Sequence, residues 1–120
     1  MTRRRQKALG IPATLALIAS AFVNDKLDAV ASFPLGTTYL ERDEIVGSTH
    51  KKKWSEVGWE ALERNHESPH FATPAGLAAY LPAYLTVVVR DFDRLDMLPT
   101  MVCGALTKQE TRQRHLLLFV

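Results

Sequence analysis

Cysteine is almost absent from this 120-residue chain, in which Cys103 is the only one. An intrachain disulfide and a cysteine-cluster metal site are therefore excluded. Because Cys103 lies in an apolar run, the sequence predicts a small buried side chain there rather than a reactive thiol. The chain also lacks a glycine-rich phosphate loop and a G-x-S-x-G turn, so two common enzyme signatures are missing.

No apolar run of the sequence is long enough for a transmembrane helix. The N-terminus nevertheless has a basic start, an apolar run from Ala8 and the small residues Ala19-Ser20-Ala21, which is the layout of a signal peptide over residues 1–21. The alternative is an amphipathic helix that starts near Pro12. Its buried face would consist of Leu15, Ile18, Phe22 and Val23. We favour the helix and hence a cytoplasmic protein, and an exported binding domain is the alternative.

Charge is unevenly distributed along the chain. The net charge is +2, but residues 1–10 form a basic tail with four basic groups and no acidic one. Residues 11–120, which we interpret as a single helical domain, carry eleven basic against thirteen acidic residues. We therefore expect no basic nucleic-acid face on the domain body.

The strongest pattern lies between residues 71 and 92. Apolar side chains recur there at steps of three and four, which predicts a central helix with one buried face. They are Leu77, Tyr80, Leu81, Tyr84, Leu85, Val88 and Phe92. Thr73 is the predicted N-cap and Pro74 the first helical residue, while Pro82 predicts a kink or a break into two helices. A buried tyrosine such as Tyr84 needs a partner for its hydroxyl.

Other segments show the same helical spacing more weakly. Residues 48–65 are predicted to form a helix with Trp54 as its core anchor, capped by Ser48 or Thr49. Asp96 is the predicted cap of a further helix, and Thr107 opens a capping box with Glu110 that predicts a separate last helix. Residues 25–50 are interpreted as a long surface connection with at most a turn or two of helix, such as a short helix that Phe33-Pro34 closes. The prediction is an all-α, single-domain bundle of about five helices around a proline-kinked central helix.

Residues 66–70, His66-Glu67-Ser68-Pro69-His70, match the H-E-x-x-H pattern of zinc proteases. That chemistry requires both histidines on one face of a helix. Pro69 lies within the turn, so we interpret the segment as a loop and the match as accidental. A metal-dependent hydrolase that uses His66 and His70 remains the alternative function.

Residues 90–96 contain three carboxylates and two arginines. Asp91 and Arg94 are three residues apart and are predicted to form an ion pair at a helix end. Trp59 lies off the apolar stripe of its segment, so it is either half-buried or part of a contact surface. The residues predicted to bind a partner are Trp59, Asp91, Asp93 and Asp96.

Several blocks resemble a family of small bacterial proteins known only as a domain of unknown function. The blocks are Ile18-x-x-Ala21-Phe22, Trp54, residues 71–85 and Leu106-Thr107-x-x-Glu110. The most specific is Tyr80-Leu81-Pro82-Ala83-Tyr84-Leu85. The resemblance implies a helical cytoplasmic domain and transfers no catalytic residue.

Taken with the acidic body, these patterns predict a non-enzymatic protein-binding domain without a cofactor. We expect an immunity-type protein that neutralises a basic bacterial toxin, because an acidic surface suits a basic partner. The apolar C-terminal run His115-Leu116-Leu117-Leu118-Phe119-Val120 predicts either burial or a contact in a homo-oligomer.

Overall fold

The computed structural model describes residues 10–34 and 42–118, with side chains described as far as residue 110. These ranges contain seven α-helices, which we number in chain order. They are α1 (Ile11–Ala21), α2 (Ala29–Ser32), α3 (Arg42–Thr49), α4 (Trp59–Arg64), α5 (Ser68–Phe71), α6 (Pro74–Arg90) and α7 (Leu98–Leu118). Two 3₁₀ turns, Trp54–Glu56 and Phe92–Arg94, lie between them, and the described ranges contain no strand. The predicted all-α fold class is confirmed.

Helix α6 is the centre of the packing, as the sequence predicts. The hydroxyl oxygen of Thr73 accepts a hydrogen bond from the Gly76 amide (2.9 Å), and Pro74 opens the helix. The helix continues through Pro82 without interruption, so a break into two helices is wrong. Phe92 lies beyond the end of the helix with 60% of its surface exposed, so the predicted buried stripe ends before it.

Two tyrosines of α6 are completely buried and both have hydroxyl partners. The Tyr84 hydroxyl lies 2.6 Å from the Ser68 hydroxyl, and the Tyr80 hydroxyl lies 2.6 Å from that of Thr49. Because Thr49 donates its own hydrogen to the Ile45 carbonyl, Tyr80 is the donor in its pair. Burial raises the pKa of Tyr80 to about 12, and the hydrogen bond to Thr49 offsets only part of this rise. The predicted burial of Tyr84 is confirmed.

Helix α1 packs against α6 through one face. Ile18 is buried and Phe22 is half-buried, in agreement with the predicted helix. The side chain of Val23 is 78% exposed, so its assignment to the buried face is wrong. Its carbonyl instead accepts a hydrogen bond from the indole nitrogen of Trp54 (2.8 Å), and Trp54 is a core residue as predicted.

The interpretation of residues 25–50 as a surface connection is wrong for the residues that the structure describes there, because several of their side chains belong to the core. The short helix predicted to close at Phe33-Pro34 is α2, and α3 adds about two further helical turns. The buried apolar residues are Leu27, Ala29, Phe33 and Ile45. The rings of Phe33 and Tyr80 pack in a T-shaped arrangement, with 5.2 Å between ring centroids.

The helix predicted over residues 48–65 forms only at its end, as α4, and the prediction is wrong for its first half. Thr49 ends α3 instead of capping a new helix, and Lys51 adopts a left-handed backbone conformation with φ of 65°. The chain then pairs with residues 25–27, because the Lys51 amide donates to the Leu27 carbonyl and the Leu27 amide to the Lys52 carbonyl (both 2.8 Å). Backbone groups used in this pairing cannot also form helical hydrogen bonds, so the next α-helix is α4.

Helix α7 is a single element, and Thr107 lies inside it. The Thr107 hydroxyl donates to the Cys103 carbonyl one turn earlier (2.9 Å), so the predicted capping box does not start a new helix. Cys103 is exposed, which corrects its predicted burial. The buried face of α7 carries Leu98, Val102 and Ala105, and Cys103 is displaced from that face by about 100°. The C-terminal apolar run lies outside the described side chains.

Candidate partner-binding surface

The predicted partner-binding residues meet where α4 lies beside the link between α6 and α7. This link, residues 91–97, contains the second 3₁₀ turn. Helix α4 presents Trp59 and Glu63 to it, and these two residues are four positions apart and share one helical face. We call the link together with Trp59 the 91–97 surface.

Glu63 fixes the second half of the link. Its Oε1 accepts hydrogen bonds from the backbone amides of Asp96 (2.8 Å) and Leu98 (3.2 Å), and its Oε2 accepts one from the Met97 amide (3.2 Å). These amides belong to the beginning of α7, where a negative charge is also favoured by the helix dipole. The prediction that Asp96 caps this helix is therefore wrong, because the cap comes from α4.

Replacing Glu63 with alanine is expected to lower the free energy of unfolding by about 1 kcal/mol, the usual cost of removing a cap. The reason is that the amides at the start of α7 lose their acceptors. Urea denaturation of the variant and the parent measures the difference. Glu63→Gln keeps one oxygen acceptor and should lose less, and equal losses in both variants would contradict the cap.

Trp59 and Arg94 fix the first half of the link. The guanidinium carbon of Arg94 lies 5.7 Å from the centroid of the Trp59 ring, within the range of a cation–π contact. Trp59 is half-buried against the core, which agrees with one of its two predicted roles. The predicted Asp91–Arg94 ion pair is wrong, because Asp91 Oδ2 accepts from the Nε of Arg90 instead (2.8 Å).

Two of the predicted carboxylates face solvent without a counter-ion. Asp93 and Asp96 are exposed, and no ion pair involves either of them within the described residues. Asp91 is different, because its side chain is only 13% exposed and its charge is neutralised by Arg90. The structure therefore leaves Asp93 and Asp96 available to a partner and assigns Asp91 to an internal pair.

A groove of about 390 Å³ lies beside Asp91 and Asp93. Its apolar wall is formed by Ile11 at the start of α1, by Val89 and by the ring of Phe92. Ile11 is 54% exposed and Phe92 is 60% exposed. The remaining lining residues are Arg90, Asp91, Asp93 and Arg94. The groove thus combines exposed apolar groups with a charged rim.

The two histidines of the H-E-x-x-H match have separate contacts. His66 precedes α5, and its Nδ1 lies 3.1 Å from the Glu63 carbonyl oxygen. His70 belongs to α5, so the segment is partly helical rather than the predicted loop, and its ring packs against Gly104. In the described part of the chain, no group of three or more His, Cys, Asp or Glu side chains could hold a metal ion.

Sequence reasoning missed three residues at this site: Phe92 of the 91–97 surface, Glu63, which anchors it, and Ile11, which lines the adjoining groove. Ile11 and Glu63 carry no local signal, because each acts on residues more than thirty positions away. Phe92 continues the spacing of α6, so periodicity assigned it to the core. Its exposure follows from the end of the helix at Arg90.

The described helices include none that is long and apolar enough to cross a membrane. Comparison with known proteins adds no relative from which a role could be transferred. No protein family, curated protein or solved structure matches this chain.

Proposed function

We propose that this protein is a binding domain for a basic protein partner, which it engages through the 91–97 surface. The observation that carries the proposal is the exposure of Phe92 and Asp93 together on a 3₁₀ turn. Helix α4 contacts the last residue of this turn, Arg94, through Trp59, and the residues after it through Glu63. An immunity-type protein that blocks a basic bacterial toxin is the role that we propose within this class.

Charge supports a basic partner. Asp93 and Asp96 face solvent without a counter-ion among the described residues, and residues 11–120 carry an excess of acidic groups. Carboxylates placed in this way attract a positively charged surface and raise the rate of encounter. They also disfavour acidic partners, because like charges would be brought together.

Apolar and aromatic side chains support a protein rather than a small ion as the partner. Phe92 and Ile11 border the groove, and Met97 is exposed at the end of the link. Aromatic residues, methionine and arginine are enriched in protein interfaces. A bulky side chain of the partner that enters the groove would bury this apolar wall, while its basic residues pair with Asp93 and Asp96.

Contacts with α4 support the surface without the help of a partner. Glu63 anchors the backbone at Asp96, Met97 and Leu98, and the Trp59 ring anchors Arg94. A preorganised surface loses less conformational entropy on association than a flexible one. This property suits an inhibitor that must bind tightly.

We further propose that the protein acts in the cytoplasm with α1 retained. Ile18 of α1 belongs to the core and Ile11 lines the groove. Cleavage after residue 21 would remove both side chains, and with them one wall of the proposed binding surface. A mature chain that begins near Phe22, identified by mass spectrometry, would contradict this part of the proposal.

The proposal is tested with the product of the neighbouring gene. We expect that product to be a basic protein that inhibits growth when expressed alone and is neutralised by co-expression of this chain. Asp93→Lys should weaken binding at low salt by about tenfold, which corresponds to about 1.4 kcal/mol. Isothermal titration calorimetry at two salt concentrations measures the change.

Asp25→Lys is the matched control, because it makes the same change of charge at an exposed residue that does not line the groove. It should bind like the parent protein. Equal weakening by both variants would show that binding depends only on the net charge of the protein. The assignment of the 91–97 surface as the binding site would then be wrong. A neighbouring product that is harmless alone would contradict the immunity role.

A further inference from the structure

His50 connects α2 to the end of α3 through a contact that depends on its protonation state. The Ala29 amide donates a hydrogen bond to His50 Nδ1 (3.1 Å), and Ala29 is completely buried. From this geometry we infer that His50 is a proton-operated latch, and that its protonation loosens the start of α2. This inference is independent of the proposed partner binding.

The latch follows from the chemistry of the imidazole ring. A nitrogen that accepts a hydrogen bond carries no proton, so neutral His50 must hold its proton on Nε2. Protonation places a second proton on Nδ1 and turns the acceptor into a donor. The contact with Ala29 and the charged form of His50 therefore exclude each other, and a buried amide loses its partner when the ring is charged.

Asp28 provides the alternative partner for the charged ring. Its Oδ1 lies 4.0 Å from His50 Nδ1, and the same oxygen accepts the amide of Ala31 as the N-cap of α2. A charged imidazole that turns towards Asp28 would compete with that cap. The two states thus differ in two hydrogen bonds at the same end of α2.

Charged groups of both signs surround His50. Asp28 is the nearest carboxylate, Lys51 and Lys52 follow His50 in the chain, and Lys26 belongs to the segment that pairs with residues 51–53. Thr49, which precedes His50, binds the Tyr80 hydroxyl of α6.

Loosening of α2 would be transmitted to the start of α6. The carbonyl of Ser32, the last residue of α2, accepts the Thr73 amide (3.0 Å), and Ser32 packs directly under Gly76. Thr73 is also the N-cap of α6. Protonation at one end of α2 is therefore coupled to the capping of the central helix at its other end.

Hydrogen exchange measured by NMR on the full chain tests the latch. After correction for intrinsic exchange rates, the protection of the Ala29 amide should fall between pH 7.5 and pH 5.5, by up to about tenfold per pH unit for one linked proton. The Thr73 amide should follow it. His50→Asn places an amide oxygen near the position of Nδ1 and cannot be protonated in this range, so its Ala29 protection should not change with pH.

His66→Asn is the matched control, since it makes the same substitution at a ring that contacts the Glu63 carbonyl, and it should keep the pH response of Ala29. An identical pH response in parent and His50→Asn would overturn the proposal. Nitrogen-15 spectra of the parent provide a test that needs no variant. Neutral His50 with its proton on Nδ1 would overturn the proposal as well, and a proton on Nε2 supports it.

Discussion

Replacing Tyr84 with alanine is expected to remove a large share of the stability of the domain. The ring is completely buried at the centre of α6, 6.0 Å from the ring of Tyr80. Losing a large buried aromatic side chain costs about 3–5 kcal/mol, because the surrounding structure closes the cavity only in part. A domain of this size has a total stability of about 5–15 kcal/mol. Chemical denaturation, or solubility if the variant is largely unfolded, measures the effect.

Tyr84→Phe separates the ring from its hydroxyl. This variant keeps the packing but leaves the buried Ser68 hydroxyl without its 2.6 Å partner, which costs about 1–2 kcal/mol. Burial raises the pKa of Tyr84 above its ordinary value, so the folded state holds this proton more tightly than the unfolded state. The free energy of unfolding should therefore fall as the pH rises above about 10, and this fall should be smaller in Tyr84→Phe than in the parent protein.

If Tyr84→Ala melts like the parent but no longer binds its partner, α6 is the interface rather than the core.

The central helix was predictable because its signals are local. The cap at Thr73, Pro74 in the first turn and the repeat of apolar residues all lie within one continuous segment. Burial of Tyr80 and Tyr84 follows from the same repeat. Their partners do not, because Thr49 and Ser68 lie 31 and 16 residues away.

Residues 25–54 show what local signals cannot predict. Phe33 and Ile45 are buried because of the elements that cover them, and their own segment has no helical period. The end of α3 is determined by backbone pairing between residues 25–27 and 51–54, which no side-chain pattern encodes. A short antiparallel contact of this kind leaves only an isolated bridge between Lys26 and Lys53.

The candidate binding surface was predicted in composition but not in arrangement. The cluster of charges at residues 90–96 is visible in the sequence, and Trp59 stands out because it leaves the stripe of its segment. Their proximity depends on Glu63, which caps a helix that begins 35 residues later. The sequence also does not show which carboxylates lack an ion-pair partner. Asp91 pairs with its neighbour Arg90 rather than with Arg94, one turn along the chain.

Gly76 is the residue at which a single added methyl group should do most damage. A Cβ atom there would lie 2.7 Å from Ser32 Cβ, 2.8 Å from Ser32 Cα and 2.9 Å from the Thr73 hydroxyl oxygen. Ser32 cannot turn aside freely, because its Cα belongs to the backbone of α2 and its hydroxyl donates to the Asp28 carbonyl (2.8 Å). The close approach of α2 to α6 therefore requires glycine at this position.

Gly76→Ala is expected to lower the free energy of unfolding by about 3 kcal/mol, at the upper end of the range for overpacking, because α2 must move and the Thr73 cap is displaced. Gly47→Ala is the matched control in α3, where an added Cβ would have no heavy atom within 4 Å. That variant should gain about 0.5–1 kcal/mol, because alanine favours a helix more than glycine does. Urea denaturation of both variants compares one substitution in two environments. A Gly76→Ala protein as stable as the parent would show that α2 does not pack on α6 at this distance.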